Sequence, residues 1–312
     1  MIEVAGLVVE YPAARGSSGG PVRAVDGLDL EVRAGEVYAL LGENGAGKTS
    51  TIEVLEGHRR RTAGDVRVLG HDPAERGRSG RDLRDRIGVV LQSSGVEPEL
   101  TVGEAVALFG SAYRRPRAVV EALDLVGLAD RTDVRIGALS GGQRRRLDLA
   151  LGVVGRPEVL FLDEPTTGFD PSARRRAWEV IDGLCSEGTT VVLTTHYLDE
   201  AEHLADRVGI MSAGCLVVEG TPAELQRRSG ASRVAVDVAG DVTAESVAVL
   251  LDGLAVTVEV DRGRLVVVTA EVTAVLGRLT SWADASGITL GEWSVERPSL
   301  EQVFIELTEG RA

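Results

Sequence analysis

The spacing of apolar residues along the first 230 positions predicts alternating strands and continuously apolar strands, with helices between them. Residues 2 to 10 and 22 to 32 alternate apolar and polar side chains, which predicts two half-buried strands joined by a small-residue loop, Ala13 to Gly20. Other strands are continuous apolar runs, the pattern of parallel strands buried on both faces, or short apolar segments: 36 to 41, 65 to 69, 87 to 91, 159 to 164, 189 to 194, 206 to 212 and 215 to 219. The alternation of strands and helices predicts an α/β fold.

From Thr101 the apolar period becomes helical. A first helix places Val102, Ala105, Val106 and Phe109 on one face. Further helices are predicted around 119 to 126 and over 144 to 154, so we expect an inserted helical subdomain at about 93 to 155.

The pattern changes again near residue 230, after a capping box that starts a helix at Pro222. We therefore predict one domain over 1 to 230 and a second over 231 to 312. The second reads strand, helix, strand, strand, helix, strand, the order of a small α+β, ferredoxin-like domain. A closing helix from Pro298 places its apolar residues on one stripe, which either docks on a partner or covers the domain's own sheet.

A glycine-rich loop follows the apolar run at 36 to 41, and a helix is expected to begin inside it. The segment from Gly42 to Ser50 fits the phosphate-loop pattern G-x-x-x-x-G-K-[ST]. Glycines let consecutive N–H groups turn inward around a phosphate, and the helix N-terminus adds its positive dipole end. Lys48 is expected to reach the terminal phosphates, and the Thr49 hydroxyl is expected to hold Mg²⁺. The predicted nucleotide-binding residues are Gly42, Asn44, Gly45, Gly47, Lys48, Thr49 and Ser50.

Composition sharpens this prediction, because Lys48 is the single lysine among 312 residues and 34 Lys+Arg. Wherever any cation suffices, the chain uses arginine. A planar guanidinium cannot replace a flexible ammonium in a narrow anion site, so we interpret Lys48 as the lysine that function requires; chance survival under compositional drift is the alternative.

Four more segments place polar residues where a ligand would meet them. Ser140 precedes a predicted helix as an N-cap, and the next two glycines leave its amides uncovered for an anion. Asp163 and Glu164 end a buried strand, and His196 follows another, so all three are expected at the carboxyl edge of the sheet. Taken singly, Glu164 could be a salt-bridging residue and His196 a strand-end histidine. Tyr11 could stack on an adenine ring or simply close the core.

Net charge and hydropathy limit the partners. The formal charge of −14 argues against nucleic acid as a partner. No window approaches the run of about 18 apolar residues that a spanning helix needs, so a membrane role requires another chain to supply the span. The N-terminus lacks a secretory pattern, and Cys185 and Cys215 lack metal-ligand spacing, which favours free thiols in a reducing compartment.

The run Leu139 to Gln143, taken with the phosphate loop, Asp163-Glu164, Asp170 and His196 in this order, resembles the ATP-binding subunit of ABC transporters over about residues 1 to 230. The resemblance implies a P-loop ATPase cassette. It assigns Lys48 and Glu164 to catalysis, with Glu164 as general base and His196 contacting the γ-phosphate. Thr49, Gln92 and Asp163 are implied for Mg²⁺, and Gln92 also for sensing the membrane partner. Ser140, Gly142 and Gln143 match the signature that closes over ATP on a second copy of the domain. Asp170 matches a loop along that interface, where Phe169 replaces the more usual leucine.

The resemblance also predicts a function. The segment after Thr195 and the ending from Arg297 to Phe304 are similar to the daunorubicin-resistance branch of bacterial multidrug exporters. We therefore expect an ATPase at the cytoplasmic face of the cell membrane that dimerises around ATP and Mg²⁺ and drives a separate integral membrane permease. An importer subunit is one alternative. A mechanical ATPase of the same superfamily is the other, although it would usually carry long heptad insertions or two cassettes.

Overall fold

The computed structural model describes residues 1–12, 20–90, 95–228, 232–239, 242–296 and 299–309. Residues 13 to 19 of the predicted loop, residues 229 to 231 at the predicted domain boundary, Gln92 and Pro298 lie outside the described residues. The chain forms two compact units, Met1–Pro222 and Ala223–Ala312. The predicted boundary near residue 230 stays a prediction.

The first unit contains two sheets. Their strands are β1 (Ile2–Tyr11), β2 (Val22–Val32), β3 (Val37–Gly42), β4 (Ala63–Val68), β5 (Ile87–Val90), β6 (Val159–Asp163), β7 (Thr190–Thr195), β8 (Arg207–Ser212) and β9 (Cys215–Gly220). A three-stranded antiparallel sheet has the order β2-β1-β4. A six-stranded sheet has the order β5-β6-β7-β3-β8-β9, parallel except for β9. The parallel strands β3 and β7 are buried along their whole length, as their continuous apolar runs predict.

Helices lie between these strands. They are α1 (Lys48–Leu55), α2 (Gly77–Arg84), α3 (Val102–Gly110), α4 (Val119–Leu125), α5 (Gly141–Val153), α6 (Pro171–Ser186) and α7 (Leu198–Leu204), with 3₁₀ turns at Ala129–Arg131 and Ile136–Ala138. Helices α3, α4 and α5 correspond to the predicted helical subdomain. The sequence pattern does not predict α2, because this arginine-rich helix buries only Gly80 and Leu83 and so has almost no apolar stripe. No helix of the described residues is long and apolar enough to cross a membrane.

Sheet order brings the predicted site together. Strands β6, β7 and β3 are neighbours, and being parallel they end at the same edge of the sheet. Leu41 pairs with Thr195, and Asp163 pairs with Thr194. The phosphate loop therefore begins one strand away from His196 and two strands away from Glu164.

The second unit has the predicted order of elements. After α8 (Pro222–Arg228), which starts at the last residue of the first unit, come β10 (Ser232–Val238), α9 (Ala244–Leu250), β11 (Val256–Asp261), β12 (Arg264–Thr269), α10 (Val272–Ser286), β13 (Leu290–Glu296) and α11 (Leu300–Glu309). The antiparallel sheet runs β11-β12-β10-β13, which confirms the ferredoxin-like arrangement. One core contains Val234, Val267 and Leu279.

The closing helix α11 already has part of its apolar stripe covered. Leu300 and Val303 are buried within the chain. Burial of these two side chains favours the interpretation that the stripe covers this protein's own surface.

Candidate functional site

The phosphate loop connects the buried strand β3 to α1 through two glycines in the left-handed region, Gly45 at φ 85° and Gly47 at φ 102°. Two of its glycines also lie against other backbone. A Cβ on Gly42 would be 2.6 Å from the carbonyl oxygen of Met211, and one on Gly47 would be 2.3 Å from that of Ala24. The loop can follow this path only with glycine at these positions.

Lys48 folds back over the loop. Its Nζ donates to the carbonyl oxygens of Gly42 at 2.7 Å and Glu43 at 3.0 Å, and the residue is buried. Burial lowers the pKa of Lys48, while the nearby carboxylates of Glu164 and Asp163 oppose that shift. An ammonium has three donors, so two carbonyl bonds leave one for a ligand at the loop. The uncapped start of α1 adds to the positive potential there, since Gly47 supplies no side-chain cap.

The other loop residues differ in exposure. Asn44 and Thr49 are exposed, whereas Ser50 is buried and its Oγ lies 2.8 Å from the hydroxyl oxygen of Tyr11. The guanidinium of Arg59 lies 4.4 Å from the centre of the Tyr11 ring. Tyr11 is thereby tied to α1 and covered by a cation on one face, and its stacking on adenine stays a prediction.

At the ends of β6 and β7, four polar side chains meet. The Thr194 hydroxyl donates to Oδ1 of Asp163 and accepts from the amide of Glu164 at 3.2 Å. Oε1 of Glu164 lies 3.2 Å from Nδ1 of His196. The His196 ring in turn packs against Tyr197, with 4.1 Å between ring centres. This arrangement places a mostly buried carboxylate beside a half-exposed imidazole at the sheet edge.

Glu164 has an unusual backbone for a residue with a side chain. Its φ is 48°, in the left-handed region that favours glycine. The amide donates to Thr194 O at 3.0 Å, and Oε2 accepts from the Thr167 hydroxyl at 3.3 Å. Strain of this kind at a charged residue is typical of functional sites.

The second predicted helix start, at α5, is built differently. Ser140 is its N-cap and accepts from the amide of Gln143 at 3.3 Å, while the Gln143 side chain accepts from the amide of Ser140 at 2.9 Å. A Cβ on Gly141 or Gly142 would meet nothing within 4 Å. Ser140 is exposed, so this end of α5 faces out from the chain.

Asp170 caps α6. Its Oδ1 accepts from the amides of Ser172 and Ala173, both at 2.9 Å, and the bond from Ala173 lowers the pKa of Asp170 most. A local capping role is therefore sufficient to explain this carboxylate within the chain.

Two polar residues near the site are not predicted from the sequence. Arg145 is buried on α5 and donates to the turn that holds Glu164. Glu200 is completely buried on α7, accepts from the indole of Trp178 at 3.2 Å, and has its pKa raised chiefly by burial. A buried ionisable side chain whose partner lies far along the chain leaves no local pattern. Arg145, however, stands on the otherwise buried face of α5, and that placement is a signal that could have been noticed.

The described residues contain no group of three or more His, Cys, Asp or Glu side chains that could hold a metal ion. The predicted roles of Thr49 and Asp163 toward Mg²⁺, a cation that usually takes most of its ligands from bound phosphates and water, stay predictions.

Comparisons with known proteins agree on one family. The profile described as ABC transporter matches residues 25–167. The daunorubicin resistance ATP-binding protein DrrA3 of Streptomyces coeruleorubidus is 42% identical over 93% of this chain and 92% of its own length. A Nod factor export ATP-binding protein I of Paraburkholderia xenovorans is 38% identical over 93% of both.

Solved structures show the same fold for the cassette. An ATP-binding cassette in a dimeric post-hydrolysis state bound to ADP and Pi superposes with a TM-score of 0.64 at 21% identity, over 71% of this chain and 98% of that one. The ATP binding subunit of an ABC transporter gives 0.63 at 26% identity, over 74% and 93%.

Proposed function

This chain belongs to the family of ABC transporter ATP-binding proteins and is an ATP-hydrolysing enzyme, and from that premise we propose that it dimerises around two ATP molecules and drives export of a drug-like or other small molecule through a separate membrane permease. The similarity to drug-resistance and Nod factor export proteins along nearly the whole chain carries the export part of the proposal. An importer or a mechanical ATPase is the alternative.

The residues at this edge of the sheet would have different roles in ATP hydrolysis. Phosphoryl transfer depends on positioning and on neutralising charge at the transferred group. Lys48 and the start of α1 supply positive charge at the loop, and Thr49 and Asp163 would hold Mg²⁺, which neutralises the phosphate oxygens. Glu164 would accept a proton from the attacking water, with His196 beside it at 3.2 Å to contact the γ-phosphate. Gln92, outside the described residues, keeps its predicted role.

Dimerisation is proposed because Ser140 at the start of α5 is exposed and because a solved cassette of the same fold is a dimer bound to ADP and Pi. Ser140, Gly142 and Gln143 would contact ATP held on the phosphate loop of a second copy. The open space around Gly142 allows that close approach.

The permease would bind at a groove on the helical subdomain. This groove has a volume of about 540 Å³ and a mixed lining. Its apolar and aromatic side chains include Ile87, Val89, Val90, Phe109, Tyr113 and Leu151, and ionisable side chains such as Arg81, Arg84 and Asp85 lie beside them. It runs along β5, the edge strand that leads to Gln92, and Phe109 and its neighbour Leu108 are exposed beside it. A cytoplasmic segment of the permease with an apolar face fits such a groove. This partner would hold the protein at the cytoplasmic face of the membrane.

Replacement of Glu164 tests the proposed chemistry. Glu164→Gln keeps the shape of the side chain but removes the base, so MgATP should bind with parental affinity, turnover should be lost, and an ATP-bound dimer should accumulate. Phosphate release and light scattering with MgATP measure these effects. Hydrolysis at the parental rate would remove Glu164 from the mechanism.

A carboxylate introduced into the groove tests whether the permease binds there. Phe109→Asp should abolish stimulation of the ATPase by the copurified permease and lower drug efflux from vesicles, with unchanged basal hydrolysis. Val120→Asp is the matched control, because Val120 is an exposed apolar residue of α4 that does not line the groove. Equal loss in both variants would reject this location. Uptake that depends on an external solute-binding protein would favour the importer.

A further inference from the structure

One guanidinium faces the turn after β6. Arg145 donates from Nη2 to the carbonyl oxygens of Asp163 at 3.0 Å and Glu164 at 2.8 Å, and from Nε to that of Pro165 at 3.0 Å. Three successive carbonyls converge on a single side chain. Because carbonyl oxygens repel one another, this convergence requires a cation or several donors at its centre.

The turn needs this support because Glu164 adopts a disfavoured backbone. At φ 48°, a residue with a Cβ is held in place only where its surroundings over-determine the conformation. Thr194 binds the amide of Glu164, and Arg145 binds its carbonyl. The peptide groups on both sides of the Glu164 Cα are therefore fixed, one from β7 and one from α5.

Burial of the charged Arg145 side chain costs free energy of desolvation. The residue is 9% exposed, and burial lowers the pKa of its guanidinium, opposed chiefly by Asp148. The Asp148 Oδ2 lies 3.8 Å from its Nη1. A buried, paired charge generally adds little to overall stability, so its contacts with the turn are the feature that needs explanation.

The two adjacent arginines have different partners. Arg144 donates to Ile136 O at 3.4 Å, and Arg146 donates to Val126 O at 3.0 Å and Gly127 O at 2.8 Å. Neither donates a hydrogen bond to the turn within the described residues. Of these three arginines, Arg145 contacts the turn after β6, whereas Arg144 and Arg146 contact the helical subdomain.

We propose that Arg145 is a positioning residue for ATP hydrolysis, which holds the backbone of Glu164 so that its carboxylate stays beside His196. This inference rests on the proposed role of Glu164. Helix α5 would then have two roles. Its N-terminus would contact ATP bound to the second copy, and its Arg145 would position Glu164, the proposed general base of its own chain.

The test compares Arg145→Gln with Arg146→Gln. In Arg145→Gln the carboxamide cannot bind three carbonyls, so kcat should fall about 100-fold, as for a displacement of the catalytic group by about 1 Å, while Kd for MgATP stays within about two-fold. Arg146→Gln, which also loses two carbonyl bonds, should lower Tm but keep kcat. Arg145→Lys keeps the buried charge with fewer well-placed donors and should give an intermediate kcat; if Arg145→Gln does not fold, this variant gives the same comparison of kcat with Kd.

A double-mutant cycle separates positioning from a general structural role. If Arg145 acts through Glu164, adding Arg145→Gln to Glu164→Gln should leave the residual rate unchanged, whereas independent effects multiply. Parental kcat in Arg145→Gln, or a kcat loss that Arg146→Gln shares at equal loss of Tm, would overturn the inference. Glu164→Gln alone distinguishes the two ideas: its full activity rejects the proposed base, and its inactivity together with an active Arg145→Gln rejects only the role of Arg145.

Discussion

The helices α1 and α5 both begin with a glycine-rich segment that the sequence marks for anion binding, yet the structure builds their N-termini differently. The start of α1 has no side-chain cap and is approached by Lys48, which bends back over the loop. The start of α5 is closed by its own capping box of Ser140 and Gln143. The start of α1 therefore combines uncapped backbone amides with the charge of Lys48. At the start of α5, the capping box already uses some of the backbone amides.

The difference indicates two kinds of anion contact. A capping box satisfies the amides of the N-cap and N3 residues, which leaves those of Gly141 and Gly142 at the start of α5. Ser140 is exposed at that end. We therefore expect α1 to determine affinity for ATP and α5 to contribute only when a second copy closes over the nucleotide.

The largest effect is expected from Lys48. Lys48→Arg places a planar fork where a point charge donates to two carbonyls at 2.7 and 3.0 Å, so hydrolysis should fall on the order of 100-fold or more and MgATP affinity should drop. Nucleotide titration and phosphate release measure both. As a control on the parent, an amine-selective reagent can reach only Lys48 and the N-terminal amine, and MgATP should slow inactivation. Parental affinity in Lys48→Arg would contradict the comparison.

The next largest difference between the N-termini of α1 and α5 is expected from glycine replacements. Gly47→Ala forces a Cβ to 2.3 Å from Ala24 O at φ 102°, so the loop should lose its shape, with a stability loss of about 2 kcal/mol or more and no ATP binding. Gly142→Ala meets nothing within 4 Å, so it should keep the parental Tm and ATP affinity and lose only dimer-dependent hydrolysis. Thermal unfolding with and without MgATP distinguishes them. Weakened ATP binding by monomeric Gly142→Ala would erase the distinction.

A smaller effect is expected from the cap itself. Ser140→Ala should cost about 1 kcal/mol, or roughly 2–4 °C in Tm, and should also weaken ATP-dependent dimerisation. Thr101→Ala is the matched control, because Thr101 forms the same capping box with Glu104 at the start of α3. Equal loss of dimerisation in both variants would show that stability alone explains the result.

The smallest effect concerns Glu200, under the segment that carries His196. Burial raises the pKa of Glu200, so the native state holds this proton more tightly than the unfolded state does. Its contribution to stability is present at low pH and is lost as pH rises above about 4 toward the raised value. Glu200→Gln should remove this dependence, so that its Tm relative to the parent increases from acid to neutral pH. Parallel Tm curves from pH 4 to 8 would contradict the assignment.

Much of this fold follows from local pattern. Continuous apolar runs identified the buried strands of the first unit, and the ferredoxin-like order of the second was confirmed, because helical and strand periods are properties of neighbouring residues. Helix α2 was missed because it buries too little apolar surface to leave a pattern. The roles of the nucleotide-site residues, including Gln92, stay predictions.

By itself the sequence determined the phosphate loop, the residue types that ATP chemistry needs and their order along the chain. Only the tertiary structure decided that β6 and β3 lie on either side of β7, that Glu164 is 3.2 Å from His196, and that Arg145 holds the intervening turn. The physical reason is that these contacts join residues about 20 to 150 positions apart. Their geometry depends on sheet order and on a left-handed backbone at Glu164, and neither leaves a periodic signal in the sequence.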